Sequence, residues 1–113
     1  MTDASAHPTQ ALDDTVHQRT RLGILAVLAE GGRVQFGFLA EALGLTDGNL
    51  SRHLTTLESA GYASVEKAYD GKRPRTWIRI TKAGRRALEQ EIGLLKSLIE
   101  RFDAGATPGA TDE

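Results

Sequence analysis

The chain has 113 residues, 40% of them apolar, no cysteine and a formal charge of −1. That supports one domain around a modest core, to which dimerisation would add burial. The lack of cysteine excludes thiol redox sensing and thiolate metal sites, and it is compatible with a reducing compartment.

Residues 1–11 are small and polar and are expected to form a disordered N-terminal tail. They lack the basic start and apolar stretch of a signal peptide, so the expected location is the cytoplasm. Asp13 or Asp14 is placed to cap a first helix running to about Glu30. Its stretch Leu22 to Ala29 is apolar almost all round, as expected of a helix wedged between two surfaces. Ile24, Leu25 and Leu28 are assigned to the core, and Leu22, Ala26 or Ala29, with Leu12 and Val16, to contact with another helix. The longest apolar block, Ile24 to Ala29, is far too short to span a membrane. Gly31 and Gly32 terminate this helix and do not belong to a phosphate-binding loop, because no Gly-x-Gly-x-x-Gly and no Lys-Ser/Thr follows.

Phe36, Leu39, Ala40 and Leu43 recur at i, i+3, i+4 and i+7, which predicts a short amphipathic helix ending at Gly44. Leu45 fills the corner, and Thr46 caps the next helix, whose apolar positions are Leu50, Leu54 and Leu57. Projected at about 100° per residue, the opposite face carries Gly48, Asn49, Ser51, Arg52, Thr55 and Thr56. Asp47 is the one acid at its start, where it favours the helix dipole. Two short helices joined by a glycine-containing turn are a helix-turn-helix unit, whose second helix enters the major groove. A helical hairpin buried in a core has the same periodicity, but it lacks a polar outer face of this kind.

Ala63 to Ala68 and Arg75 to Ile80 alternate with the period of strands, around a tip from Tyr69 to Pro74. The tip holds an Asp-Gly turn signal and the cations Lys72 and Arg73, next to Arg75, with only Asp70 in opposition. The basic run continues through Arg79, Lys82, Arg85 and Arg86, and no acid occurs between Asp70 and Glu89. The near-neutral total is thus misleading. All fourteen Lys and Arg lie between Arg19 and Arg101 against nine acids, a net +5, and six further acids sit in the flanks. Such a basic span suits a phosphate track.

Thr81 caps a last helix in which Leu88, Ile92, Leu95, Ile99 and Phe102 form a 4-3-4-3 seam. Flanked by Leu94 and Leu98, this seam is expected to dimerise; packing back on its own domain is the alternative. Residues 103–113 read as a disordered acidic tail, leaving 12–102 as the folded domain.

These positions together resemble the winged helix-turn-helix regulators of the MarR/ArsR type. The matching residues are Arg21-Leu22 with Ile24-Leu25, Phe36 and Leu39, the Leu45 to Leu54 run, Leu57-Glu58, Gly61-Tyr62, Lys67, Pro74-Arg75-Thr76, Ile80-Thr81 and Gly84-Arg85. The resemblance implies sequence-specific binding of duplex DNA by a homodimer, on a mainly α fold with a small β-hairpin wing (α+β). The expected operator is an inverted repeat, and the first and last helices are expected to form the dimer interface. Thr46, Gly48, Asn49, Ser51, Arg52, Thr55 and Thr56, with Lys72, Arg73 and Arg75 of the wing, are the expected DNA contacts.

The three histidines, His7, His17 and His53, show no ligand spacing, and Ser51 has no base at a convincing spacing, so neither a metal, a cofactor nor an enzyme activity is expected. His53 is expected at the helix junction, and Trp77 over either the dimer surface or the wing base. A pocket between the first and last helices of the dimer has room to form but shows no polar signature, and no effector is implied. The alternative is a winged helix that binds a protein partner, which an acidic or apolar outer face on the third helix would signal.

Overall fold

The computed structural model describes residues 7–106; the outer parts of both expected tails lie outside that range. Pro8–Ala11 forms a single 3-10 turn, with His7 capping Thr9, inside the segment read as a tail. Helices α1 (Asp14–His17) and α2 (Arg19–Ala29) follow, then a two-residue strand β1 (Val34–Gln35) and helices α3 (Phe36–Leu43) and α4 (Asp47–Ser59). Strands β2 (Ala63–Asp70) and β3 (Arg73–Ile80) make a hairpin, and α5 (Lys82–Ala106) completes the chain.

The first helix is not continuous. Gln18 adopts extended geometry with ψ 130°, and its side chain accepts from the Arg21 amide, so it ends α1 and caps α2 in one step. Asp13 caps α1 through Thr15, which settles the choice between the two aspartates. Helix α3 ends as expected at Gly44, whose φ of 65° is the left-handed conformation that favours glycine. Thr46 caps α4 by accepting from the Asn49 amide at 3.1 Å.

The sheet is antiparallel in the order β1-β3-β2, with Val34 opposite Ile78 and Ala63 opposite Ile80. The hairpin strands reach further than the alternation alone suggests, closing on Asp70 and Arg73 around Gly71 and Lys72. Of these two loop residues only Gly71 has positive φ, 67°, the pattern of a type II′ turn. Pro74 fits inside β3 because it stands opposite Tyr69, next to the closing pair. In an antiparallel ladder that is a non-hydrogen-bonded position, so its missing N–H costs no bond.

One core unites the elements. Val16, Ile24, Leu25, Leu28, Leu39, Leu50, Leu57 and Ile78 are fully buried, and Leu54, Ala63 and Leu88 nearly so. Val16, expected to meet another helix, is therefore part of this chain's own core, while Ala26 is exposed.

The junction between hairpin and α5 is the tightest point of the fold. The Thr81 amide donates to Tyr62 O at 3.0 Å, the Thr81 hydroxyl donates to Gly61 O at 2.6 Å, and the same hydroxyl oxygen caps α5 at Gly84 N. A Cβ on Gly84 would overlap the Tyr62 carbonyl. Gly84→Ala should therefore destabilise the protein by roughly 1–3 kcal/mol despite the better helix propensity of alanine. Urea denaturation should show a lower midpoint with an unchanged slope.

Candidate nucleic-acid interface

Helix α4 is held by one face and free on the other. Leu50, Leu54 and Leu57 are buried, at 3% exposure or less, which fixes its rotation about its axis. Thr46, Asp47, Gly48, Asn49, Ser51, Arg52 and Thr55 are all exposed, and Thr56 is half-buried. The polar side chains are already ordered. Arg52 donates to Asn49 Oδ1 at 2.9 Å, and the hydroxyls of Thr55 and Thr56 donate to the Ser51 and Arg52 carbonyls. The two threonine oxygens thus stay available as acceptors. Nothing in the fold requires glycine at position 48, where φ is not positive and a Cβ would meet no atom within 4 Å. The position is suited to close approach by something outside the chain.

The hairpin rises beside this helix. Between them lies a cleft of about 310 Å³ lined by Ser51, Leu54, Thr55 and Glu58 from α4 and by Val65, Lys67 and Thr76 from the strands. Lys72 and Arg73 are exposed at the tip, whereas Arg75 is half-buried with Nε 4.0 Å from Asp70 Oδ2, the limit of an ion pair. A groove-sized helix with a hydrogen-bonding face, flanked by a cationic two-stranded tip, can present donors to base edges and neutralise phosphates alongside.

Residues 20–99 match the family model of the winged helix DNA-binding domain. The chain belongs to that family. An uncharacterised protein of Methanocaldococcus jannaschii is 42% identical over 83 residues, which cover 74% of this chain and 90% of the relative. Among solved structures, a transcriptional regulator homologue from Pyrococcus horikoshii OT3 superposes with a TM-score of 0.82 at 28% identity, covering 87% of this chain and 99% of the other. The Mycobacterium tuberculosis transcriptional regulator MosR, solved with DNA, matches with a TM-score of 0.66 at 23% identity, covering 92% and 73%. The regulator resemblance read from the sequence thus stands, and family and fold are those of DNA-binding regulators, not of enzymes.

In this winged helix, some basic residues serve the fold. The Arg85 guanidinium donates to Ala29 O at the end of α2, so it caps that helix instead of simply adding to the phosphate field. Trp77 lies at the wing root, opposite Gln35 and Glu66, with the Arg33 guanidinium carbon 4.2 Å from its ring centroid. Along α5, Leu88 is 4% exposed and packs within the core of its own domain. Beyond it Ile92, Ile99 and Phe102 are 41%, 59% and 75% exposed, and Leu95 is half-buried. Among the described residues no helix is long and apolar enough to cross a membrane, and no three His, Cys, Asp or Glu are grouped to hold a metal.

Arg21 and His53 join the interface to the fold, with His53 at the helix junction expected for it. Arg21 donates through Nε to Thr15 O at 2.7 Å and through Nη2 to Asp14 O, while its Nη1 lies 3.3 Å from His53 Nδ1. Since the guanidinium can only donate, His53 Nδ1 accepts and the imidazole is neutral there. Burial first, then the Arg21 and Arg52 charges, pull its pKa below the ordinary 6.5. As pH falls below 6.5 the unfolded chain takes up this proton before the native state does, so stability present above that pH is lost on acidification. His53→Gln should therefore make the acid limb of a stability-against-pH curve shallower than in the wild type, as measured by urea midpoints at a series of pH values.

Proposed function

We propose that the chain is a transcriptional regulator that acts as a homodimer on an inverted repeat in duplex DNA. The observation that carries this reading is the exposed face of α4, polar and pre-ordered from Gly48 to Thr55, set beside a tip bearing Lys72 and Arg73. Arg52, steadied by Asn49, is the best-placed side chain for a bidentate contact to guanine. Asn49, Ser51, Thr55 and Thr56 are placed for base edges or adjacent phosphates, and Thr46 and the backbone at Gly48 for phosphates near the start of the helix. The solved DNA complex of MosR has the same fold, and this likeness supports the same use of it here. The protein-partner alternative needs an acidic or apolar outer face on α4, and the face is neither.

The dimer reading rests on the far half of α5. The molecule measures 67 × 32 × 23 Å, its long dimension far exceeding what one core spans. Along α5 the side chains of Ile92, Ile99 and Phe102 are exposed within a single chain, and a second copy, together with Leu95, would cover them. Two-fold symmetry then sets the half-site centres about 34–36 Å apart if both helices engage one face of the duplex.

Arg52→Ala should cost roughly 1–3 kcal/mol on the preferred site and relax one base position per half-site. Lys72→Ala with Arg73→Ala should instead weaken preferred and scrambled duplexes alike, lowering the slope of log affinity against log salt by about 0.9 per phosphate contact. Titrations of both variants at three salt concentrations separate the two effects; unchanged DNA affinity in both would sink the assignment of these residues.

Ile99→Glu with Phe102→Glu should give folded monomers, because both side chains are exposed in the isolated chain and a charge in an apolar seam is costly. Light scattering paired with circular dichroism checks this, and a monomeric wild type would refute the dimer.

A further inference from the structure

The hydrogen bonds on the exposed face of α4 sort its side chains into donors and acceptors. Arg52 donates from Nη2 to Asn49 Oδ1 at 2.9 Å. A guanidinium only donates, so this bond turns the amide oxygen of Asn49 toward Arg52 and leaves Nδ2, a donor, for anything outside the chain. Reading adenine takes both ends of an amide, an acceptor for N6 and a donor for N7. An adenine amino group brought to Oδ1 would also face the N–H groups of Arg52, donor against donor. Nδ2 alone reaches a phosphate or a purine N7, and neither distinguishes adenine from guanine. Asn49 therefore orients Arg52, and Arg52, with its remaining N–H groups, suits the paired acceptors O6 and N7 of guanine.

Thr55 has the opposite polarity. Its hydroxyl donates to Ser51 O at 3.0 Å, and its exposed side chain presents the oxygen as an acceptor. In the major groove the groups that donate are the amino groups of cytosine and adenine. Thr55 follows Arg52 by one turn of helix, about 4.5 Å along the axis, and stacked base pairs are about 3.4 Å apart. The two side chains thus match neighbouring base pairs. Resting on the duplex-DNA reading above, the geometry points to a half-site read by one donor group and one acceptor. Arg52, oriented by Asn49, takes a guanine, and Thr55 Oγ1 takes the amino group of a cytosine or adenine in the neighbouring pair.

The test is selection from a randomised duplex library, with sequencing of the bound fraction, for the full chain and for Arg52→Ala, Asn49→Ala, Asn49→Asp and Thr55→Val. All three side chains are exposed, so each variant should keep the wild-type circular dichroism. The wild type should enrich one guanine by about tenfold or more over other bases, next to a position that favours cytosine or adenine over guanine or thymine. Arg52→Ala and Asn49→Ala should both reduce that same guanine to near parity. Asn49→Asp keeps an acceptor for Arg52 and should retain it. Thr55→Val, equal in shape but without the oxygen, should lose only the neighbouring preference. The assignment is overturned if Asn49→Ala relaxes an adenine or a position other than the one Arg52→Ala relaxes, if Asn49→Asp loses the guanine, or if Thr55→Val leaves the neighbouring position unchanged. A wild type that enriches no duplex sequence removes the duplex-DNA reading and this assignment with it, whereas enrichment in a different pattern removes the assignment alone.

Discussion

Everything that makes the outer face of α4 usable depends on its inner face. Leu50, Leu54 and Leu57 join Ile24, Leu25 and Leu28 of α2 in one buried cluster. Each such side chain contributes roughly 1.5–3 kcal/mol when fully buried, so rolling the helix by one residue would sacrifice more than a small domain has to spare. Rotation about the helix axis is thus set by the core, and the direction of Arg52 and Asn49 follows from it. The fold acts as a mount, holding a polar surface at an angle that the polar surface itself could not determine.

Hydrogen bonds at element ends do the remaining positioning. Gln18, Thr46 and Thr81 each satisfy a helix start, Arg85 answers the carbonyl at the end of α2, and Thr81 also ties the sheet to α5. Arg21 has a wider reach, linking carbonyls of α1 to the imidazole of α4. Because buried or half-buried donors and acceptors are costly when left unmade, these few side chains constrain the relative placement of helices that the core alone would allow to slide.

The elements readable from the sequence were those whose signals are local and repeated. Helix α4 announces itself through Thr46 and three leucines at spacings of four and three, and the hairpin through alternation around Asp70 and Gly71. The break at Gln18 was hidden because glutamine is an uncommon cap and the apolar pattern runs on across it. Strand β1 is too short to show a period, and it forms only because β3 has a free edge at Trp77 and Ile78. The burial of Leu88 within its own domain was not legible, since a 4-3 spacing looks the same whether a helix turns toward its own core or toward another chain. Glu91 lies on the polar side of a charge-rich helix by pattern, and only the approach of His17, 74 residues earlier, reveals that it is buried. The proposed interface was legible for a related reason: its residues sit on one helix and one hairpin, so local order sufficed. The exception is the Asn49 to Arg52 bond, which needs atomic positions to be seen.

The chain contains a single tryptophan, and it stands at the root of the wing. Its indole is half-buried, shared between β1 and the hairpin, with a cation resting on its face. The protein therefore carries its own optical gauge. The colour of its emission reports the local field from Arg33 and the wetness of one ring, undiluted by other indoles. A shift of the Gly31–Arg33 connection or a tilt of the hairpin would change both, without any label being attached.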